Sequence, residues 1–119
     1  KIIGENSHVL LPRDDKKFTP SHHDAGTVCR PIVNKELVGS KFIEFFLQET
    51  APGSGAPSHA IPDTERFMVI EKGRLAGKIA GEPFRAEAGD WVFIPEDSVC
   101  EYTATGEESM QAIVVHAHA

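Results

Sequence analysis

Long apolar runs are missing from this sequence of 119 residues. No stretch approaches the roughly 18 consecutive apolar residues that a membrane-spanning helix requires, so we expect no membrane partner. The start shows no basic segment followed by an apolar one, as a secretory leader would, and the chain begins with Lys1 rather than Met. The length suits one core, and we expect a single domain over residues 1–119.

Clustered positive charge is also missing. The net charge is −6, from 18 acidic and 12 basic residues, and the longest run of basic side chains is the pair Lys16-Lys17. Proteins that bind nucleic-acid backbones do so through clustered Lys and Arg. We therefore expect no nucleic-acid partner. The main effect of the negative net charge is to help keep the protein soluble.

Cysteine is scarce, because the chain has only Cys29 and Cys100, which are far apart in sequence. One isolated pair does not make a disulfide framework. We expect two reduced, buried thiols, which favours a cytoplasmic location.

The sequence has instead many short apolar segments with Gly, Pro or Asp at most junctions. Pro31 confines the strand predicted over residues 27–33 to a sheet edge or a strand end. Further strands are predicted over residues 8–11, 41–49, 66–71, 74–80, 84–87, 91–94, 99–105 and 109–115, the last running on to 118. No segment carries a helical apolar stripe longer than two turns, so the pattern predicts an all-β sandwich or barrel with little or no helix.

The stretch over residues 52–73 is the strongest candidate for a functional site. A turn-rich loop over residues 52–57 leads to His59, and Glu65 follows six positions later, directly before an apolar run. An imidazole and a carboxylate at the mouth of a strand are candidate metal ligands. Without a metal, burial in apolar surroundings would suit Glu65 to act as general acid or base with His59 as its partner.

Residues 53–100 resemble the cupin superfamily. The residues that match its two sequence motifs are, in order, Gly53, Gly55, His59, Glu65 and Gly73, then Gly89, Asp90, Pro95 and Cys100. Ile61 stands where the first motif has a second His, and Cys100 stands where the second motif has its His. The resemblance implies an RmlC-like double-stranded β-helix, the cupin jelly-roll barrel. We expect an N-terminal arm and edge strands over residues 1–40 and the barrel core over 41–119.

Within that superfamily, the chain is similar to one half of the two-domain ureidoglycine aminohydrolases. The likeness rests on Leu10-Leu11-Pro12, Phe45-Phe46, Glu65-Arg66-Phe67 and the final strand. The frame implies that His59, Glu65 and Cys100 bind a divalent transition metal (Zn, Fe or Mn) with one open corner. The alternative, favoured by Ile61, is that no metal binds.

Two classes of function stay open. One is a metal-assisted enzyme of ureidoglycine-aminohydrolase-like type, which acts on a small polar metabolite through Glu65, His59 and Tyr102, with Tyr102 orienting the substrate. The other is a metal-free cupin that binds or senses a small molecule without turnover. The strand predicted over residues 41–49 is apolar on both faces, which predicts a homodimer.

Four further polar residues have two interpretations each, a functional one and a structural one. His116 and His118 share one strand face and could chelate a metal, but we expect an exposed, frayed chain end. Arg66 and Arg74 could bind a carboxylate substrate, but we expect both at the surface.

Overall fold

The structure is a computed structural model, and it describes residues 17–20, 23 and 26–118. Over these residues the elements are β1 (Thr27–Val33), α1 (Lys35–Val38), β2 (Ile43–Thr50), β3 (Gly55–His59), β4 (Thr64–Lys72), β5 (Arg74–Ile79), β6 (Glu82–Glu87), β7 (Trp91–Ile94), β8 (Cys100–Thr105) and β9 (Met110–His118). The strand predicted over residues 8–11 lies outside the described residues. Within the described part, no helix is long and apolar enough to cross a membrane.

The strands form two antiparallel sheets. The first sheet has the order β1-β2-β9-β4-β7, and the second has the order β3-β8-β5-β6. The apolar core contains side chains from both sheets, including Met68 and Ile70 from the first and Leu75 and Tyr102 from the second. The predicted all-β jelly-roll fold with little helix is confirmed.

Residues 52–57 are not the continuous loop that we expected, because Gly55 begins β3. β3 pairs with β8 through Gly55 with Thr103, Ala56 with Tyr102 and His59 with Cys100, and the register shifts between Ala56 and His59. A Cβ atom on Gly55 would lie 2.0 Å from the carbonyl oxygen of Tyr102. The glycine therefore permits a close approach of two strands, although in the sequence it reads as a turn residue.

The connection over residues 34–40 contains the single turn of α1. The Asn34 side chain accepts a hydrogen bond from the backbone N–H of Leu37 at 2.7 Å, which caps the first turn. Gly39 has a left-handed φ of 71° and ends the helix. Both caps are local, so this short helix only links β1 to β2.

β4 shows which side chains face the barrel interior. Thr64, Arg66, Met68 and Ile70 are buried, whereas the residues that alternate with them, over 65–71, are half-buried or exposed. Successive side chains of a strand point to opposite faces. The first set therefore faces the interior, and the second faces outward.

The outer side of the five-stranded sheet is largely apolar. The outward side chains that form what we call the outer apolar face are Ile43, Phe45 and Leu47 of β2, Ile113 and Val115 of β9, Phe67 and Val69 of β4, and Trp91 and Phe93 of β7. Trp91 is 72% exposed and Phe93 is 55% exposed. The Trp91 ring stacks on Phe67 with the ring centroids 6.0 Å apart.

Candidate functional site

A cavity of about 280 Å³ lies between the two sheets. Its apolar wall includes Phe46, Met68, Ile94 and Val114. The polar side chains that line it are His23, Gln48, His59, Arg66, Tyr102 and His116. Among the described residues that line the cavity, Arg66 alone carries a permanent charge.

Arg66 points into this cavity from β4 and is 5% exposed. Its Nη2 donates to the carbonyl oxygen of Ser98 at 3.1 Å, and its Nη1 lies 3.5 Å from Nε2 of His59. Its Nε is buried and has no hydrogen-bond partner in the described part of the chain. No described Asp or Glu forms an ion pair with it.

Burial lowers the pKa of the Arg66 guanidinium, while Cys100 and Tyr102 act in the opposite direction. An arginine keeps its proton even so. A buried cation without a carboxylate partner is costly, because its hydration is lost and no opposite charge replaces it. This arrangement favours the binding of an anion in the cavity.

His59 is half-buried at the end of β3 and contacts Arg66. Its Nδ1 lies 2.7 Å from the carbonyl oxygen of Pro57. A carbonyl oxygen only accepts hydrogen bonds, so Nδ1 carries the hydrogen in this contact. Nε2 is then the acceptor toward the Nη1 group of Arg66, and its lone pair faces a cation.

Tyr102 reaches across the barrel interior from β8 to Gln48 on β2. The Nε2 atom of Gln48 donates to the Tyr102 hydroxyl at 2.5 Å, and both side chains are buried. Burial raises the pKa of the Tyr102 phenol, against the opposing effect of the Gln48 hydrogen bond. The phenol is therefore neutral at physiological pH and keeps its proton.

His116 also lines the cavity, so our expectation of an exposed, frayed end is wrong for this residue. β9 pairs with β2 as far as Ala117 and with β4 as far as His118, which keeps this end of the strand in the sheet. Burial lowers the pKa of His116 to about 4; Glu44 acts against this, and Arg66 adds to it. The ring is therefore neutral at physiological pH.

His118 contacts other polar side chains beside the cavity. Its Nε2 lies 2.5 Å from Oε1 of Glu44, and its Nδ1 lies 2.9 Å from the hydroxyl of Thr64. Its ring centroid is 6.4 Å from that of His116. Both ring nitrogens of His118 are thus engaged, which does not favour a chelating pair with His116.

Of the predicted site residues, the structure places His59 and Tyr102 in the cavity wall and Glu65 outside the barrel. Glu65 is exposed because it alternates with Arg66 along β4. Cys100 is buried opposite His59 in the pairing of β3 with β8, but it does not line the cavity. Burial raises the pKa of the Cys100 thiol, although Arg66 lowers it, so the thiolate that a metal or a nucleophilic role needs is disfavoured.

The metal site implied by the cupin resemblance does not fit these side chains. Among the described residues, one group of three His, Cys, Asp or Glu side chains has ligand atoms within 4.8 Å of one another, namely the exposed Asp63, Glu96 and Asp97. His59, Glu65 and Cys100 do not form such a group. Arg66 also places a positive charge next to the imidazole nitrogen that would bind the ion, and like charges repel.

Two sequence signals could have identified Arg66 as the inward residue. Glu65 and Glu71 are in the same phase of the strand, so an outward place for both was the simpler assignment. The cupin motif has its glycine about seven positions after its Glu, and Gly73 follows Arg66 by seven positions and Glu65 by eight, so Arg66 fits the position of that Glu better. No comparable signal marked Gln48 or His116, because their places depend on pairing between distant strands.

Comparison with known proteins identifies the fold and a related chain. A family model described as the cupin domain matches residues 46–116. Auxin-binding protein 1 of Arabidopsis thaliana is 32% identical over 92 residues, which cover 71% of this chain and 46% of that protein. The chain thus matches about half the length of this relative.

Solved structures agree with the fold. The chain is similar to a predicted oxalate decarboxylase of Thermotoga maritima, with a TM-score of 0.79 and 16% identity over 93% of this chain and 100% of that one. It is also similar to KdgF of a Halomonas species, with a TM-score of 0.75 and 12% identity over 95% of this chain and 96% of that one. At these identities the likeness concerns the fold alone.

Proposed function

The chain belongs to the cupin family, and within that fold we propose that its barrel cavity binds a small organic anion, with Arg66 as the anion receptor. The observation that carries the proposal is the state of Arg66. It is buried, its Nε has no partner, and no described carboxylate pairs with it. A ligand carboxylate would supply the missing charge and the missing acceptor together.

The cavity wall supports a ligand with an apolar remainder. Phe46, Met68, Ile94 and Val114 surround the space next to the guanidinium. Pockets for small molecules commonly combine such a wall with a few placed polar groups. A relative is named for binding auxin, and auxins are small carboxylic acids with an aromatic ring, which is chemistry of the same class.

Binding without turnover is the form of the proposal that the side chains favour. The metal-assisted reaction of ureidoglycine-aminohydrolase-like type would need His59, Glu65 and Cys100 at one ion, and Glu65 is on the outer side of β4. Elemental analysis of untagged protein tests this point. We expect metal well below one equivalent in both wild type and His59→Ala. Stoichiometric Zn, Fe or Mn that disappears in His59→Ala would restore the metal-assisted function.

The anion receptor is tested by NMR titration in a buffer free of carboxylates. Phenylacetate, indole-3-acetate and a 2-oxo acid are compared with the uncharged amides of the first two. We expect at least one acid to bind saturably and the amides to bind more weakly. Arg66→Met should weaken acid binding about 30-fold or more, as loss of a buried charge partner does. Arg74→Met, the exposed control on β5, should leave it unchanged.

Two results would contradict the proposed function. One is the absence of saturable binding for every acid. The other is equal affinity of wild type and Arg66→Met for the acid that does bind.

For assembly, we propose a homodimer in which the outer apolar face packs against the same face of a second copy. Large apolar side chains such as Trp91 and Phe93 are seldom left this exposed in one patch of a monomer. The same surface on both subunits is the ordinary form of a two-fold interface. The cytoplasmic location stays a prediction, and both cysteines are free and buried.

A further inference from the structure

In the hydrogen bond between Gln48 and Tyr102, the Tyr102 hydroxyl is the acceptor, so its own hydrogen is available in the cavity that Arg66 also lines. The amide nitrogen of Gln48 can only donate, so the Tyr102 oxygen is the acceptor in this 2.5 Å contact. The Tyr102 O–H has no acceptor among the described residues, and the side chain lines the cavity. The phenol therefore has a proton available for a ligand.

The direction of that proton depends on the orientation of the Gln48 amide. Its Nε2 also lies 3.2 Å from the hydroxyl of Thr50, and its Oε1 lies 3.9 Å from Sγ of Cys29. Burial raises the pKa of the Cys29 thiol to about 12, so the thiol keeps its hydrogen and can donate it to Oε1. A flipped amide would place Oε1 at Tyr102 and would draw the phenol proton away from the cavity.

We propose that the Tyr102 hydroxyl donates to one oxygen of a ligand carboxylate whose other oxygen is bound by Arg66, and that Gln48 is the positioning residue that keeps this proton directed at the ligand. The inference rests on the proposed function and deepens it. It assigns one neutral and one charged donor to the two oxygens of one carboxylate.

This pair of donors defines the class of ligand more narrowly. The described lining has one permanent charge, which a monoanion neutralises, whereas a dianion would leave a second charge in an apolar cavity. Two donors fit the two oxygens of a carboxylate. The ligand class is therefore a monocarboxylate with an apolar remainder that the cavity of about 280 Å³ can hold.

The test compares the affinities of phenylacetate and phenylacetamide in wild type, Tyr102→Phe and Gln48→Glu. Tyr102→Phe removes only the hydroxyl, and we expect phenylacetate binding to weaken about tenfold, since a hydrogen bond to a charged group is lost. The ratio of the two affinities should fall as well, because the bond to the charged ligand is the stronger one. A merely structural role of Tyr102 would weaken both ligands equally and leave the ratio unchanged.

Gln48→Glu should act in the same direction as Tyr102→Phe, because a carboxylate accepts the phenol proton and repels the ligand. Gln48→Leu provides a second variant if the buried carboxylate prevents folding, and it should weaken phenylacetate binding severalfold, since it no longer orients the phenol. Thr103→Val, an exposed neighbour of Tyr102 on β8, is the control for loss of a hydroxyl. It should leave both affinities unchanged.

Failure of this inference differs from failure of the proposed function. If phenylacetate binding depends on Arg66 but Tyr102→Phe keeps both the affinity and the ratio, the role of Tyr102 is overturned and the anion receptor stands. Unchanged values in both Gln48 variants, together with a loss in Tyr102→Phe, would overturn only the positioning role of Gln48. If binding does not depend on Arg66, the proposed function itself fails.

Discussion

The inner face of β4 carries a buried arginine, whereas its outer face carries the half-buried apolar side chains of Phe67 and Val69. On the inside, Arg66 lies among Thr64, Met68 and Ile70. On the outside, Phe67 meets the exposed ring of Trp91 on the neighbouring strand. A half-buried strand ordinarily places apolar residues inside and polar residues outside. We propose a different partner for each face, an anion for the inner one and the same apolar surface of a second copy for the outer one.

The largest difference between the two faces is expected when an isoleucine on each side of the five-stranded sheet is replaced by alanine and the free energy of unfolding is measured. Ile70→Ala empties a position that is 1% exposed, and we expect the free energy of unfolding to fall by about 2–5 kcal/mol. Ile43→Ala, on the outer apolar face, should cost about 1 kcal/mol or less. Urea denaturation at two protein concentrations measures both. Equal losses would show that the outer face is packed like the core.

Removing the most exposed aromatic side chain of the outer face tests whether a second copy covers it. A tryptophan that an interface buries commonly contributes about 2 kcal/mol or more, so Trp91→Ser should convert a dimer to a monomer at micromolar concentration. Size-exclusion chromatography with light scattering measures the mass. A wild-type mass of 13.0 kDa, that of one chain, would contradict the proposed dimer.

Acid should destabilise the inner face through His116. Its folded pKa is about 4, below the ordinary value of 6.5, so the unfolded chain binds a proton first as the pH falls. The contribution of the neutral His116 ring to the free energy of unfolding is complete above pH 6.5 and is lost as the pH falls toward 4. We expect wild type to lose about 1–3 kcal/mol more than His116→Gln between pH 7 and pH 4. Parallel stability curves for the two proteins would show that this ring is hydrated.

The smallest effect is expected for Glu65, on the outer face of β4. Because its side chain is exposed and points away from the cavity, Glu65→Gln should leave metal content and acid binding unchanged within about twofold. Elemental analysis and the phenylacetate titration measure both quantities. A large loss of either would return Glu65 to the place that the cupin motif implied for it.

Much of the fold could be predicted from the sequence, because short apolar segments and turn residues mark the strands locally. The strands around Pro31, Trp91 and Cys100 were predicted close to their observed bounds. The strand β3 was missed, because its residues are typical of a turn and only its pairing with β8 makes it a strand.

The candidate site was harder to predict, because a shift of one residue along β4 exchanges the inner and outer faces. Both phases of this strand contain apolar residues, Phe67 and Val69 in one and Met68 and Ile70 in the other. Hydrophobicity alone therefore did not decide whether Glu65 or Arg66 faces inward. Residues such as Gln48 and Tyr102 meet only because two sheets pack together, which no local pattern specifies.

We propose above all that Arg66 is a buried cation that binds an anionic ligand. The most direct test is to measure the free energy of unfolding with and without phenylacetate. In carboxylate-free buffer, Arg66→Met should be as stable as wild type or more stable by about 1–4 kcal/mol, because an uncompensated buried charge is removed. Phenylacetate at about 100 times its dissociation constant should stabilise wild type and Arg74→Met by about 2.7 kcal/mol and leave Arg66→Met unchanged. A variant that is less stable than wild type, together with no effect of phenylacetate on wild type, would show that Arg66 is structural and would contradict the claim.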